Sequence, residues 1–116
     1  MTTPPTVDAV YAKSNAEVIA IHQALLASLR SLGPVTVDPK KTSIHFARRT
    51  AFGGLHPRKA YLNLNIRLDR PLDAARVVST EQVSKNRWHN LVRLDAPSDI
   101  DAELLAWLSE AYTLAA

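Results

Sequence analysis

The chain of 116 residues has no cysteine, three glycines, and no apolar run near the length of a membrane helix. Without cysteine there are no disulfides, thiolate nucleophiles or cysteine-ligated zinc and iron–sulfur sites. A membrane span needs about 20 consecutive apolar residues, and residues 1–5 have neither the basic tip nor the apolar stretch of a signal peptide. These absences favour a cytoplasmic protein with no membrane partner.

The length and composition indicate one folded domain. Hydrophobic residues make up 47% of the chain, which is too many for a disordered protein. A chain of this size buries roughly two-thirds of its unfolded surface, which is enough for a core without covalent staples. The Thr- and Pro-rich start predicts a flexible N-terminus over residues 1–12, followed by a single domain over residues 13–116.

Acidic residues are missing from the middle of the chain. From Lys40 to Arg67 there are seven Lys or Arg residues and no Asp or Glu. Extended to Arg93, the segment carries a net charge of +9, whereas the remainder of the chain carries −6. This asymmetry favours an anionic partner. The alternative is that the bases lie on strands and pair with acids on neighbouring helices.

Hydrophobic spacing predicts an α+β fold, with N- and C-terminal helices packed on one face of a small antiparallel β-sheet. A Ser14–Glu17 capping box opens a helix over residues 15–32, and Ser98 caps a last helix that ends near residue 114. Strands are predicted at residues 35–37, 43–48, 51–56, 60–68 and 87–94. A short helix is predicted at 71–78 and a loop at 79–86. The aromatic residues Phe46, Phe52, Trp88 and Trp107 are assigned to the core.

Two of the predicted strands alternate between apolar and polar residues. The clearest period of two lies at residues 60–68, which predicts one buried and one wet face. If the strands are neighbours, their polar side chains converge on one surface that offers cationic hydrogen-bond donors, amide groups and an aromatic ring for stacking. Such groups contact phosphates and unpaired bases in sheet-based binders. The predicted ligand-binding residues are Tyr61, Asn63, Asn65, Arg67, Arg87, His89, Arg93 and His45. An ordinary solvated sheet face is the alternative.

The same segments resemble a known protein family. The stretches Lys41–Arg48, Ala51–Lys59 and Tyr61–Arg67 resemble the bacterial domain-of-unknown-function family 5655. So do Arg87-Trp88-His89 before Val92-Arg93-Leu94, and Leu105–Leu108 with Glu110-Ala111-Tyr112. The similarity covers residues 38–114. It implies an α+β domain that occurs alone or appended to other domains, and it supplies no activity and no catalytic residue.

Motifs for nucleotide binding or nucleophilic catalysis are not found. The chain has no GxxxxGK[ST], GxGxxG or GxSxG sequence, so no cofactor and no catalytic residue is assigned. No HxH or HxxxH spacing occurs, so no metal ligand is assigned. We therefore expect a non-catalytic binding or accessory module for nucleic acid or a phosphorylated ligand. The alternatives are a protein-interaction or homo-oligomerisation domain, and a small metal-handling protein or enzyme using His45, His56 or His89.

Overall fold

The fold is one six-stranded antiparallel sheet with two long helices on one of its faces. The computed structural model describes residues 6–116. The helices are α1 (Val7–Val10), α2 (Ala16–Leu32) and α3 (Ala102–Leu114), with a 3₁₀ turn at Pro97–Asp99 before α3. The strands are β1 (Thr36–Pro39), β2 (Ile44–Ala47), β3 (Ala51–Pro57), β4 (Leu62–Leu68), β5 (Val77–Ser84) and β6 (Arg87–Leu94). Their spatial order is β1-β2-β3-β4-β6-β5, and the α+β prediction is confirmed.

The core lies between one face of the sheet and the two long helices. Strand β4 shows why: its four apolar side chains are fully buried, whereas the residues between them are half-buried. Helix α2 adds Ile21 and Leu25, and α3 adds Leu104 and Leu108. Burying such a side chain stabilises the fold by about 1.5–3 kcal/mol. We call the face that carries these buried residues the inner face, and the opposite one the outer face.

Both long helices begin at a different residue from the predicted cap. Asn15 caps α2, where its side-chain oxygen accepts a hydrogen bond from the Val18 amide at 3.0 Å. Ser14 instead donates its hydroxyl to the Arg58 carbonyl at 2.9 Å. Asp101, rather than Ser98, caps α3. The predicted capping box at Ser14 and the predicted cap at Ser98 are therefore wrong, because the side chains of Asn15 and Asp101 accept from the first-turn amides instead.

The short helix predicted at residues 71–78 and the loop predicted at 79–86 are also wrong. Residues 77–84 form β5, an edge strand that pairs only with β6. Seven of its eight residues are exposed, so no alternation of apolar and polar residues marks it in the sequence. Its content of Val and Thr is the signal that favoured a strand.

The segment that connects β4 to β5 crosses the inner side of β6 and is held by a buried amide. The side chain of Asn90 is completely buried. Its oxygen accepts from the Leu72 amide at 2.8 Å, and its nitrogen donates to the carbonyls of Arg70 and Ile66. Ion pairs hold both ends of this segment: Arg70 pairs with Glu110 on α3 at 2.8 Å, and Arg76 pairs with Asp101, the N-cap of α3, at 2.7 Å.

The N-terminal segment is packed from Val7 onward. Tyr11 is buried in the core, and its hydroxyl lies 2.8 Å from Nδ1 of the buried His22. The flexibility predicted for residues 1–12 stays a prediction. Residues 1–5 of that prediction lie outside the described residues.

Only part of the aromatic set assigned to the core is fully buried in the described structure. Phe46 and Phe52 are both 1% exposed, and their ring centroids lie 4.9 Å apart. Trp88 and Trp107 are half-buried instead. The guanidinium of Arg76 lies 5.8 Å from the centroid of the Trp107 ring, which places this tryptophan at the boundary of the core.

Candidate functional site

The predicted site residues of β4 and β6 share the outer face because they alternate with buried residues, and they come together because the two strands are neighbours. The antiparallel register places Asn63 opposite Arg93 and Arg67 opposite His89. On the other side of β4, Asn65 lies opposite Gly54, and Gly54 lies opposite His45 on β2. The predicted convergence of these side chains is therefore present in the structure. The outer face carries the polar side chains of His45, His56, Asn63, Asn65, Arg67, Arg87, His89 and Arg93.

Arg67 lies near the end of β4 on this face and has no ion-pair partner among the described residues. Its Nη1 donates to the carbonyl of Ala51 at 3.0 Å, which ties β4 to the start of β3. Its Nε is buried and has no hydrogen-bond partner. Desolvation, and then repulsion from Arg87, lower the pKa of Arg67. The protein therefore keeps a partly desolvated cation at this position.

His89 lies beside Arg67 and shares its surroundings. The ring is half-buried, and its Nε2 is buried without a hydrogen-bond partner. Desolvation lowers the pKa of His89, and Arg67 and Arg87 lower it further, while Glu81 on β5 acts in the opposite direction. Since burial and, after it, two guanidiniums lower its pKa below the usual value, His89 is a neutral hydrogen-bonding group near neutral pH.

A third unpartnered polar atom lies in the same region. Oδ1 of Asn65 is buried and accepts no hydrogen bond. Asn65 precedes Arg67 by two residues on β4, so the two side chains share the outer face. Within residues 6–116, three buried side-chain atoms have no hydrogen-bond partner: Asn65 Oδ1, Arg67 Nε and His89 Nε2. Such atoms cost about 1–3 kcal/mol each in free energy of folding.

The far end of the outer face has a different chemistry. The Arg93 guanidinium lies 3.9 Å from the centroid of the Tyr61 ring and pairs with Asp95 at 2.9 Å. Tyr61 is half-buried, and Arg93 covers its ring. Tyr61 is thus part of a cation–π contact that competes with base stacking.

Of the remaining predicted residues, His45 and Arg87 are exposed and Asn63 is half-buried. His45 lies on β2, and its ring carbon Cδ2 would be 3.3 Å from a Cβ placed on Gly54, so Gly54 makes room for the imidazole. Arg87 begins β6 two residues before His89. Asn63 is half-buried between His56 on β3 and Arg93 on β6. Desolvation, then His45 and Arg58, lower the pKa of His56.

The charge asymmetry is partly neutralised by ion pairs. Among the cations between Lys40 and Arg93, three pair with acids that follow β6 or lie on α3: Arg70, Arg76 and Arg93. Lys40 pairs with Asp38. The other eight have no carboxylate partner within residues 6–116: Lys41, Arg48, Arg49, Arg58, Lys59, Arg67, Lys85 and Arg87. Pairing between layers therefore accounts for a minority of the bases.

Two features of the site were not predicted from the sequence. Glu81 faces His89 from β5, a position that the loop predicted at residues 79–86 does not provide. The three unpartnered atoms of Asn65, Arg67 and His89 depend on neighbours contributed by β3 and β6. No sequence pattern reports such long-range surroundings.

The described residues meet neither the requirements of a metal site nor those of a membrane-spanning helix. Across the described part of the chain, no group of three or more His, Cys, Asp or Glu side chains is arranged to hold a metal ion. Within the same residues, the helices are too short or too polar to cross a bilayer.

The family model for the domain of unknown function DUF5655 matches residues 7–115. The chain belongs to the DUF5655 family. The match extends the resemblance seen in residues 38–114 to α1 and α2, so the family covers the complete sheet and all three helices. No curated protein and no solved structure matches the chain.

Proposed function

We propose that this DUF5655 protein is a non-catalytic binding module whose outer face binds a phosphate-bearing ligand, either nucleic acid or a phosphorylated small molecule. The observation that carries the proposal is the pair Arg67 and His89, directly opposed on β4 and β6. Arg67 Nε and His89 Nε2 are buried without hydrogen-bond partners. Groups that weaken the fold in this way are characteristic of functional sites.

Phosphate fits these groups better than a neutral ligand does. Arginine presents a planar fork of N–H donors that matches two phosphate oxygens, and such charge-assisted hydrogen bonds are roughly twice as strong as neutral ones. A phosphate near Arg67 would also offset the repulsion from Arg87 that lowers its pKa. His89 in its neutral form supplies one further N–H donor.

The distribution of unpaired bases supports a polyanion as the first candidate. Arg87 lies at one end of the outer face, whereas Arg58 and Lys59 follow β3 at the other end. Because Arg93 already covers Tyr61, contacts to the phosphate backbone are expected to dominate over base stacking. The cytoplasmic location predicted from the sequence belongs to the same proposal, because it gives the face access to nucleic acid.

Fluorescence anisotropy with labelled single- and double-stranded oligonucleotides, at 50 and 150 mM salt (roughly the range over which counterion release is resolved), tests the proposal. Arg87→Gln should weaken binding several-fold and lower the salt slope by about one. Arg30→Gln is the matched control, because it removes the same charge from an exposed position on α2. Equal losses in both variants would mean that only net charge matters.

Competition with ATP and with inorganic phosphate distinguishes the two ligand sources. Displacement of the oligonucleotide by low concentrations of ATP would favour a phosphorylated small molecule. The absence of any binding at the lower salt concentration would overturn the proposal.

A second candidate function is self-association through β5. This edge strand is exposed on both faces, and Val78 and Val83 are 61% and 44% exposed. The opposite edge, β1, has four residues and ends at Asp38-Pro39, a composition that discourages strand pairing. Light scattering over a range of concentrations should show a dimer that Val78→Lys dissociates. A strict monomer would exclude this candidate.

A further inference from the structure

A cavity of about 300 Å³ lies at the end of the sheet where β3 begins, β4 ends and β6 begins. The last turn of α3 closes its remaining side. Its buried lining is apolar and consists of Phe52, Leu68, Ala111 and Ala115. The half-buried Ala51 and Leu114, which is 50% exposed, are the remaining apolar side chains in its lining.

The polar lining of the cavity carries more positive than negative charge. Arg67 and Arg87 both line it, and neither has a carboxylate partner among the described residues. Thr50 and Asn86 add uncharged polar groups. Asp69 is the one carboxylate in the lining, and its charge also acts on Arg70 outside the cavity. The lining therefore has two positive guanidiniums and one carboxylate, which also interacts with Arg70, so the net positive charge attracts an anion.

Hydrogen bonds fix the walls of the cavity. The amides of Arg49 and Thr50 donate to the Ala115 carbonyl at 3.1 and 3.4 Å, which joins the β2–β3 turn to the end of α3. Arg48 donates to the Tyr112 carbonyl at 3.3 Å and lies 4.3 Å from the centroid of its ring. A site whose walls are already positioned loses less entropy when a ligand binds.

We propose that this cavity binds the phosphate end of a ligand that carries a compact apolar or planar group beside its phosphate. The inference rests on the proposed function and narrows its ligand class. The guanidiniums of Arg67 and Arg87 hold the phosphate, and the apolar group packs between Leu114 and the buried lining. The volume is at the small end of ligand sites, about 300–1,000 Å³. The ligand is therefore a free phosphate monoester or the terminal nucleotide of a strand.

NMR titration of the ¹⁵N-labelled protein with inorganic phosphate, phenyl phosphate and phenol tests the inference. Phenyl phosphate should bind at least about tenfold more tightly than either fragment, because it alone uses both halves of the cavity. It should shift the amide signals of Thr50, Arg67 and Leu114. Equal affinity for phosphate and phenyl phosphate would overturn the inference.

Two variants separate the apolar contact from a general effect on folding. Leu114→Ser should lower the affinity for phenyl phosphate and leave that for inorganic phosphate unchanged. Ile19→Ser is the matched control, since Ile19 is 36% exposed on α2 and does not line the cavity. Thr50→Phe fills the cavity from an exposed position and should block phenyl phosphate without unfolding the protein. If these variants bind phenyl phosphate like the wild type, the cavity is not the site.

Failure of this inference can be distinguished from failure of the proposed function. Salt-dependent oligonucleotide binding without any preference for phenyl phosphate would reject the cavity as a ligand site and support the outer face as the binding surface. If neither phosphate nor phenyl phosphate shifts these amides and no oligonucleotide binds, both proposals fail. Tighter binding of 5′-phosphorylated than of 5′-hydroxyl oligonucleotides would identify a terminal nucleotide as the source, whereas equal binding would favour a free ester.

Discussion

Arg67 on β4 and His89 on β6 face each other across the antiparallel register, and each has a buried nitrogen without a hydrogen-bond partner. Each also lies near Arg87, whose charge lowers the pKa of both groups. The free energy of folding is therefore made less favourable at this position. An anion bound between these groups would offset that cost, which is why the pair is central to the proposed function.

Replacing Arg67 by methionine should separate binding from stability. Arg67→Met keeps the length of the side chain but removes the desolvated charge and its repulsion with Arg87. It also removes the hydrogen bond to the Ala51 carbonyl, which contributes about 1 kcal/mol. These effects oppose each other, so we expect the free energy of unfolding to change by less than about 1 kcal/mol.

Oligonucleotide affinity should fall about tenfold in the same variant, since each tenfold change corresponds to about 1.4 kcal/mol. Urea denaturation and anisotropy measure the two quantities. A variant that unfolds but binds normally when stabilised by osmolyte would show that Arg67 is a structural residue.

The buried amide of Asn90 should be essential for stability. Asn90→Ala leaves the Leu72 amide without its acceptor and the Arg70 and Ile66 carbonyls without their donor. We expect the free energy of unfolding to fall by about 2–3 kcal/mol. Asn63→Ala on the outer face is the control and should change it by less than about 0.5 kcal/mol. Chemical denaturation of both variants checks the difference, and similar values would contradict the assigned role.

The inner face could be predicted from the sequence because burial there follows strand periodicity. Leu62, Leu64 and Ile66 alternate with polar residues, and the structure buries all three. Because the same alternation places Asn63, Asn65 and Arg67 on the opposite face, the candidate site was also predictable up to strand order. Strand order is visible only in the structure, where β4 and β6 are neighbours.

Neither the edge strand β5 nor the cavity could be predicted from the sequence, and each has its own physical reason. Strand β5 has no buried face, so its residues carry no alternation that distinguishes a strand from a loop. The cavity brings together Phe52, Leu68 and Leu114, which are distant in sequence and meet only through tertiary packing. The cap of α2 was assigned one residue too early, because Ser14 and Asn15 are equally good capping residues.

The protein should become less stable as the pH falls from about 7.5 to 5.5. The pKa values of His22, His56 and His89 all lie below the usual 6.5 in the folded protein, with desolvation as the largest cause. The unfolded chain therefore binds more protons than the folded protein once the pH falls below about 6.5. Stability that is fully present above this pH is lost progressively below it.

Thermal unfolding at several pH values measures this loss, and His22→Gln should reduce its slope. The glutamine does not titrate, and it can still accept a hydrogen bond from the Tyr11 hydroxyl. Tyr11→Phe is the control: it removes that hydroxyl but keeps His22 buried, so the slope should remain. An unchanged slope in His22→Gln would assign the pH dependence to the outer-face histidines alone.

The adjacent glycines Gly53 and Gly54 should respond differently to substitution by alanine. A Cβ on Gly53 would lie 2.5 Å from the Phe46 ring and 2.6 Å from the Asn65 carbonyl oxygen, and the backbone atom cannot move away alone. We therefore expect Gly53→Ala to lower the free energy of unfolding by about 1–3 kcal/mol. A Cβ on Gly54 would meet the exposed His45 ring at 3.3 Å, and this side chain can rotate.

Gly54→Ala should therefore change stability by less than about 1 kcal/mol, since alanine also loses less entropy than glycine on folding. Urea denaturation of the two variants provides the comparison. Equal destabilisation would contradict the close approach of Phe46 to β3. Because Gly54 lies beneath His45 on the outer face, oligonucleotide affinity in Gly54→Ala also reports whether the position of His45 contributes to binding.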